Sequence, residues 1–288
     1  MQHTLQTSIR QSTALRRSFM KLARRTFDIA FDSWYKAGYW TDRYIPYVLA
    51  DGGRVVANVS VNTMDIVWQK KTRHYIQLGT VMTDPAYRGQ GLARRLLERA
   101  LADWDDDNAA VYLFANDSVL DFYPKFGFVR CPQYQYALPV TAAPSSFHQL
   151  DMSRTKSVRL LQRCYQAGNP CAQLTWKNNF GLLMFYCLGP MKNSVYYSPQ
   201  LDVVCIAAQD GDTLYCFDIF GPASLPLPEL LPQLAGPATT TAVLGFTPDD
   251  TAGMTAAPIT DGDTLFIRGG GEDLFTGQQR MFPILSHA

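Results

Sequence analysis

Residues 78–104 read LGTVMTDPAYRGQGLARRLLERALADW. The stretch opens as a β-branched, apolar run that Asp84-Pro85 breaks. It closes on a helical pattern. Leu92, Leu96, Leu97, Ala100, Leu101 and Trp104 share one face, while Arg94, Arg95, Glu98, Arg99 and Asp103 lie mostly off it. Between strand and helix sit Arg88, Gly89, Gln90, Gly91, Leu92 and Ala93. A helix N-terminus offers unpaired N–H groups and a partial positive charge. Glycines before it let the backbone close on a ligand, and the arginine adds a full charge. Together they predict a pyrophosphate cradle. A phosphate loop would need a Lys-Ser/Thr pair that is absent, and a dinucleotide fingerprint fails where Arg94 stands for its third glycine. A plain strand-to-helix turn with two glycines is the other reading.

Outward from this joint, residues 43–69 predict two strands around the Asp51-Gly52-Gly53 turn, and 73–83 a third. Residues 13–36 predict one or two amphipathic helices, with Leu15, Phe19, Leu22, Ala23 and Phe27 on one face. Downstream, the turn formers at 105–108 end the cradle helix. AAVYLFAN (109–116) reads as a strand buried on both faces. DSVLDFYPKFG (117–127) reads as a short helix capped by Asp117 or Ser118 and cut short at Pro124. FVRCPQYQYAL (128–138) reads as one last strand of this half.

A second constellation joins the first. Asn116 closes the apolar strand, Tyr123 follows it, and Gly127-Phe128 come next. Arg88-x-x-Gly91-x-Ala93, then Asn116-x6-Tyr123, then Gly-Phe resembles the GCN5-related N-acetyltransferase (GNAT) family. The resemblance covers residues 43–138, and 13–42 is compatible with it. It implies an α+β fold (an α/β sandwich), with a mixed central sheet flanked by helices, and an acetyl-CoA-binding catalytic domain over 1–140. The implied activity is N-acetyl transfer from acetyl-CoA, the co-substrate, to a primary amine of a small molecule or peptide by direct attack. The pantetheine arm would run along Val81, Met82 and Thr83, where the family's bulge frees backbone N–H groups. Asn116 would contact the cofactor, or else serve as a strand-end turn residue. Tyr123 would be the general acid, or else a packing aromatic beside Phe122 and Phe126. The strand YIQLGTVM carries no acid to act as base; Asp28 and Asp32 are candidates on the neighbouring helix. In relatives of the enhanced-intracellular-survival type the C-terminal carboxylate reaches the active site. By that resemblance Ala288, with His287, is expected near Tyr123; the alternative is a last strand.

Residues 139–147, PVTAAPSSF, read as a linker. Residues 150–288 then form a second, smaller α+β domain, expected to wall the substrate cleft or to package the C-terminus. LDVVCIAAQDGDTLYCFDIFG echoes the first hairpin, so a degenerate GNAT-like repeat and a generic α+β domain are both open. No second cradle motif follows, so no second CoA site is expected. NNFGLLMFY (178–186) reads as a core strand, and 269–271 as a flexible loop tip.

The chain has 288 residues, 47% hydrophobic and 18% charged, with a net charge of +1. That suits two packed domains and argues against a general nucleic-acid or membrane-surface binder. Six cysteines without a C-x-x-C pair predict free thiols in a reducing compartment. Four scattered histidines predict no metal site. The N-terminus has no apolar segment of the signal-peptide kind, and GLLMFYCLGPM is too short to span a membrane. A cytoplasmic protein is expected; nothing specifies its oligomeric state. Phe27, Phe31, Trp34, Tyr35, Tyr39 and Trp40 lie where the family often lines its acceptor pocket, and are equally a core cluster. The competing functions are a non-catalytic acyl-CoA sensor and a scaffold that keeps only the fold.

Overall fold

The computed structural model describes residues 3–104, 109–222, 226–269 and 274–288. The expected turn at 105–108 and most of the 269–271 loop lie outside them. In chain order the first elements are β1 (Thr4–Gln6), α1 (Thr13–Phe27), α2 (Asp32–Lys36), β2 (Tyr44–Asp51), β3 (Arg54–Trp68), β4 (Lys71–Thr83), α3 (Leu92–Trp104), β5 (Ala110–Ala115) and β6 (Val129–Cys131). Then come β7 (Tyr134–Pro139), β8 (His148–Gln149), α4 (Thr155–Ala167), β9 (Leu174–Lys177), α5 (Phe180–Leu188), β10 (Val195–Ser198), β11 (Val203–Asp210) and β12 (Thr213–Phe220). The chain finishes with α6 (Leu227–Leu230), β13 (Thr241–Leu244), β14 (Thr255–Pro258) and β15 (Thr264–Arg268).

Local chemistry explains the early elements. Ser12 caps α1 by accepting from Leu15 N, and the helix stops at Asp28 in the left-handed region. Gly52 and Gly53, both at positive φ, make the tight turn between β2 and β3. Among the described residues, the first sheet has the order β1-β2-β3-β4-β5-β15-β6, with β9 added along β3. All its pairs are antiparallel except β4 with β5. The second sheet has the order β14-β7-β13-β12-β11-β10-β8.

Alternation along the strands gives the first sheet two buried faces. On one, Leu92, Leu96, Leu97 and Ala100 of α3 pack on Val59, Val61, Ile76 and Leu78. On the other, Phe19, Met20, Leu22 and Ala23 of α1 pack with Tyr44 and Val48. Farther along that second face, Met64, Ile66, Tyr75 and Tyr112 meet Leu161, Cys164, Leu183 and Met184 of α4 and α5.

Four expectations are corrected. Residues 128–138 are not one strand: Pro132 separates β6 from β7, and the two belong to different sheets. β15 returns the exchange by entering the first sheet between β5 and β6. Residues 178–186 are not a core strand but the start of α5. Asn179 caps that helix by accepting from Leu182 N at 3.2 Å, and a short apolar run buried all round carries no period to tell helix from strand. Residues 117–127 form two 3₁₀ turns, 117–119 and 123–126, and the cap is Asn116, which accepts from Ser118 N, not Asp117 or Ser118. The C-terminal run ends in a 3₁₀ turn, Ile284–Ser286, rather than a strand.

Candidate active site

β4 and β5 pair in parallel only from Tyr75 with Ala110 to Leu78 with Leu113. Beyond that point they diverge. On the other side of β4, the register with β3 slips between Asn58 and Ser60, and Thr80 sits at φ 49°. This is a β-bulge: an extra residue turns the strand and frees its edge. The N–H groups of residues 79–83 on the β5 side thus face the gap rather than a ladder.

The gap opens into a cavity of about 700 Å³. Val81, Met82, Thr83, Arg88, Ala93, Asn116, Tyr123 and Ala288 all line it. Gly89, Gln90, Gly91 and Leu92 do not. The first three form the exposed turn before α3, and Leu92 is buried against the sheet. Gly89 and Gly91 adopt φ 76° and 71° although a Cβ would meet nothing there, so the backbone conformation and not space calls for glycine. Gly91 O accepts from Arg95 N and opens the helix. The first-turn N–H groups of α3 have no intrahelical partner, and Arg88 and Ala93, on either side of the turn, line the cavity.

Asp84 braces this turn from behind. Its carboxylate is buried, accepts from Arg25 Nη2 at 2.7 Å and Arg54 Nη2 at 2.5 Å, and caps Ala86 N. The hydrogen bond from Arg25 leads in holding its pKa down to about 2.

Tyr123 is 4% exposed and packs on Phe122, Phe128 and Phe266, yet its ring also borders the cavity. The packing and the site readings of this residue are therefore both realised. Burial raises its pKa to about 12, with Asp263 adding to the shift, so the hydroxyl keeps its proton.

The C-terminal segment enters the same cleft. Ile284 N donates to Gly245 O at 2.7 Å, and Tyr186 of α5 donates to His287 O at 2.6 Å. The His287 ring stacks on Phe114, and its Nε2 is buried without a partner. Burial drives its pKa down to about 3, so it is neutral. Ala288 lies against Gly79, where any Cβ would collide with the Ala288 oxygen. Asp28 and Asp32 do not line the cavity. Of the aromatic cluster, Phe27, Phe31 and Trp34 line it. Phe31, Trp34 and Trp40 are also core residues, packed with Phe19 and Tyr44 in tilted and edge-on ring contacts. Among the lining residues that the sequence reading missed are Tyr44, Asn62, Gln77, Phe185 and Tyr186. One signal was present: Asn58, Ser60 and Asn62 alternate inside an apolar strand whose other face is also apolar.

Residues 10–131 match the family model described as "Acetyltransferase (GNAT) domain". The chain is 45% identical over 56 residues to GCN5-related N-acetyltransferase 2, chloroplastic, of Arabidopsis thaliana. That match covers 18% of this chain and 21% of the plant protein, about a fifth of its length. Among solved structures, a probable N-acyltransferase of unknown function from Enterococcus faecalis aligns over 93% of this chain and 72% of its own, with a TM-score of 0.61 and 12% identity. Eis1 from Mycobacterium abscessus aligns over 93% of this chain and 73% of its own, with a TM-score of 0.58 and 15% identity. The likeness to these two structures extends through both sheets and is one of fold.

Proposed function

We infer, for a chain whose residues 10–131 are a GNAT acetyltransferase domain, that it moves an acetyl group from acetyl-CoA to a primary amine by direct attack. One observation carries the reading. The gap between β4 and β5 brings Arg88, Ala93, Asn116, Tyr123 and Ala288 to one cavity, though they come from separate parts of the chain. In this reading the first turn of α3, with Arg88, Gly89, Gln90, Gly91, Leu92 and Ala93, receives the pyrophosphate. Val81, Met82 and Thr83 guide the pantetheine, and Asn116 lies beside it. N–H groups at the β4 bulge meet the acetyl oxygen as it gains charge.

The amine attacks as the neutral base, so a proton must leave it. Where Ala288 is the terminal residue, its carboxylate is the acceptor of that proton. On the other side the sulfur departs. A thiol with a reference pKa of about 8.5 is a far stronger acid than Tyr123, so full transfer ahead of C–S cleavage is unfavourable. Tyr123 instead acts as the acid through a hydrogen bond that strengthens as charge builds on the departing sulfur, and the proton released by the amine balances the one that the thiolate finally takes up.

The test is a calorimetric titration of acetyl-CoA into the wild type and into an Arg88→Ala, Gly91→Asp double variant. Micromolar binding, about −8 kcal/mol, that disappears in the variant is expected, followed by thiol release on adding an amine. Binding without thiol release for any amine would make the protein an acyl-CoA sensor. No binding at all would leave a scaffold.

A further inference from the structure

The acceptor side of the cleft holds a hydrogen-bond donor and an acceptor that the fold leaves unpaired. Asn62 of β3 stands directly opposite Gln77 of β4. They are 2% and 1% exposed, and both line the cavity. The orientation of Asn62 is fixed from the second half of the chain. Asn179 uses its Oδ1 to cap α5, so its Nδ2 is the group turned to β3. That Nδ2 donates to Asn62 Oδ1 at 3.2 Å and to Thr63 O at 3.3 Å. Asn62 Oδ1 is thereby occupied, and its Nδ2 remains without a partner, as does Gln77 Oε1. Buried polar atoms are rarely left so, because an unmade hydrogen bond carries the full desolvation penalty.

Around this pair the wall is apolar: Phe31, Trp34, Tyr44, Leu182, Phe185 and Tyr186. Among the described lining residues only Arg88 and Asp263 carry charged side chains. Arg88 belongs to the cradle, and Asp263 acts on Tyr123 at the other side of the gap. A second ammonium group seated among the aromatic residues would find no carboxylate side chain, and the Ala288 carboxylate is taken up by the reacting amine in the acetyl-transfer reading; an unpaired buried charge is strongly disfavoured.

We propose that the acceptor is a monoamine with an aromatic or branched apolar body and one neutral carboxamide, in the manner of an amino-acid amide. The carboxamide C=O accepts from Asn62 Nδ2, and its N–H donates to Gln77 Oε1. The inference rests on the acetyl-transfer reading above. In that step the amine N–C bond forms as the C–S bond of acetyl-CoA breaks. One proton leaves nitrogen and one reaches sulfur, so the products are the N-acetyl amide and CoA.

The experiment titrates L-phenylalaninamide, 2-phenylethylamine and spermidine into the full chain, with and without saturating CoA. Phenylalaninamide should bind about tenfold tighter than phenylethylamine, the value of one good buried hydrogen bond, and spermidine weakest. Gln77→Met, of similar volume, should erase the advantage of the amide, with its unfolding midpoint as the check that it is folded. Equal affinity for the two aromatic amines in the wild type, tighter binding of spermidine, or no heat from any of the three would overturn the inference. The acetyl-CoA titration reports separately. Acetyl-CoA binding without this ranking removes the acceptor assignment alone, and loss of acetyl-CoA binding removes the acetyl-transfer reading itself.

Discussion

Tyr123 shows how one side chain serves core and site together. Its ring is held by Phe122, Phe128 and Phe266, which fix where the hydroxyl points. Removing only the oxygen tests the chemical half of that role. Tyr123→Phe should retain acetyl-CoA affinity within a factor of about three and lower kcat by about a hundredfold, the usual scale for losing a positioned acid. Steady-state kinetics beside calorimetry checks this, and an unchanged kcat would reduce Tyr123 to packing. Arg88 and Tyr123 were legible in the sequence because each sits at fixed spacing in a local motif. Asn62 and Gln77 were not. Their neighbours across the cleft come from β9, α5 and the C-terminus, more than a hundred residues away for Asn179, so only the assembled fold turns a polar alternation into a binding wall.

At the scale of elements, the decisive feature is the divergence of β4 from β5 and the bulge at Thr80. The strands themselves were readable from apolar runs and turn residues, as was α3 from its periodicity. The bulge was not, because nothing in LGTVM distinguishes a straight strand from a bent one. Its best trace is Gly79, which lies where the Ala288 oxygen closes over the strand. Gly79→Ala should therefore expel the last residues from the cleft. We expect a stability loss of about 1–3 kcal/mol in urea unfolding, the range for overpacking. A fall in kcat larger than any change in acetyl-CoA affinity should accompany it. A variant as active and as stable as wild type would show that the C-terminus contributes nothing there. α5 was misread for a different reason: GLLMFYCL is apolar on every side, and its helical state depends on the Asn179 cap and on burial between the two sheets.

Over the whole molecule the two sheets exchange strands, β7 going one way and β15 the other, and a single apolar cluster spans both halves. Two buried titratable groups, one in each region, set opposing pH dependences. His287 in the cleft has its pKa lowered from 6.5 to about 3 by burial. The folded state favours the neutral ring, so this contribution is complete above pH 6.5 and is lost as pH falls toward 3. Asp218 of β12 accepts from Trp176 Nε1 at 2.8 Å and Asn169 Nδ2 at 2.7 Å, yet burial dominates and raises its pKa from 3.8 to about 6. Its contribution runs the other way: complete below pH 3.8, and lost as pH rises through 6. Between pH 4 and pH 6 the two contributions oppose each other and nearly cancel, so the stability of the wild type should change by less than about 1 kcal/mol. His287→Phe keeps the stack on Phe114 and removes the ionisation. In that variant the offset is gone, and stability should fall by about 2 kcal/mol over the same interval as Asp218 is forced to ionise. Urea unfolding at pH 4, 5 and 6 decides it: parallel curves for the two proteins would mean that His287 meets enough water to take up a proton in place.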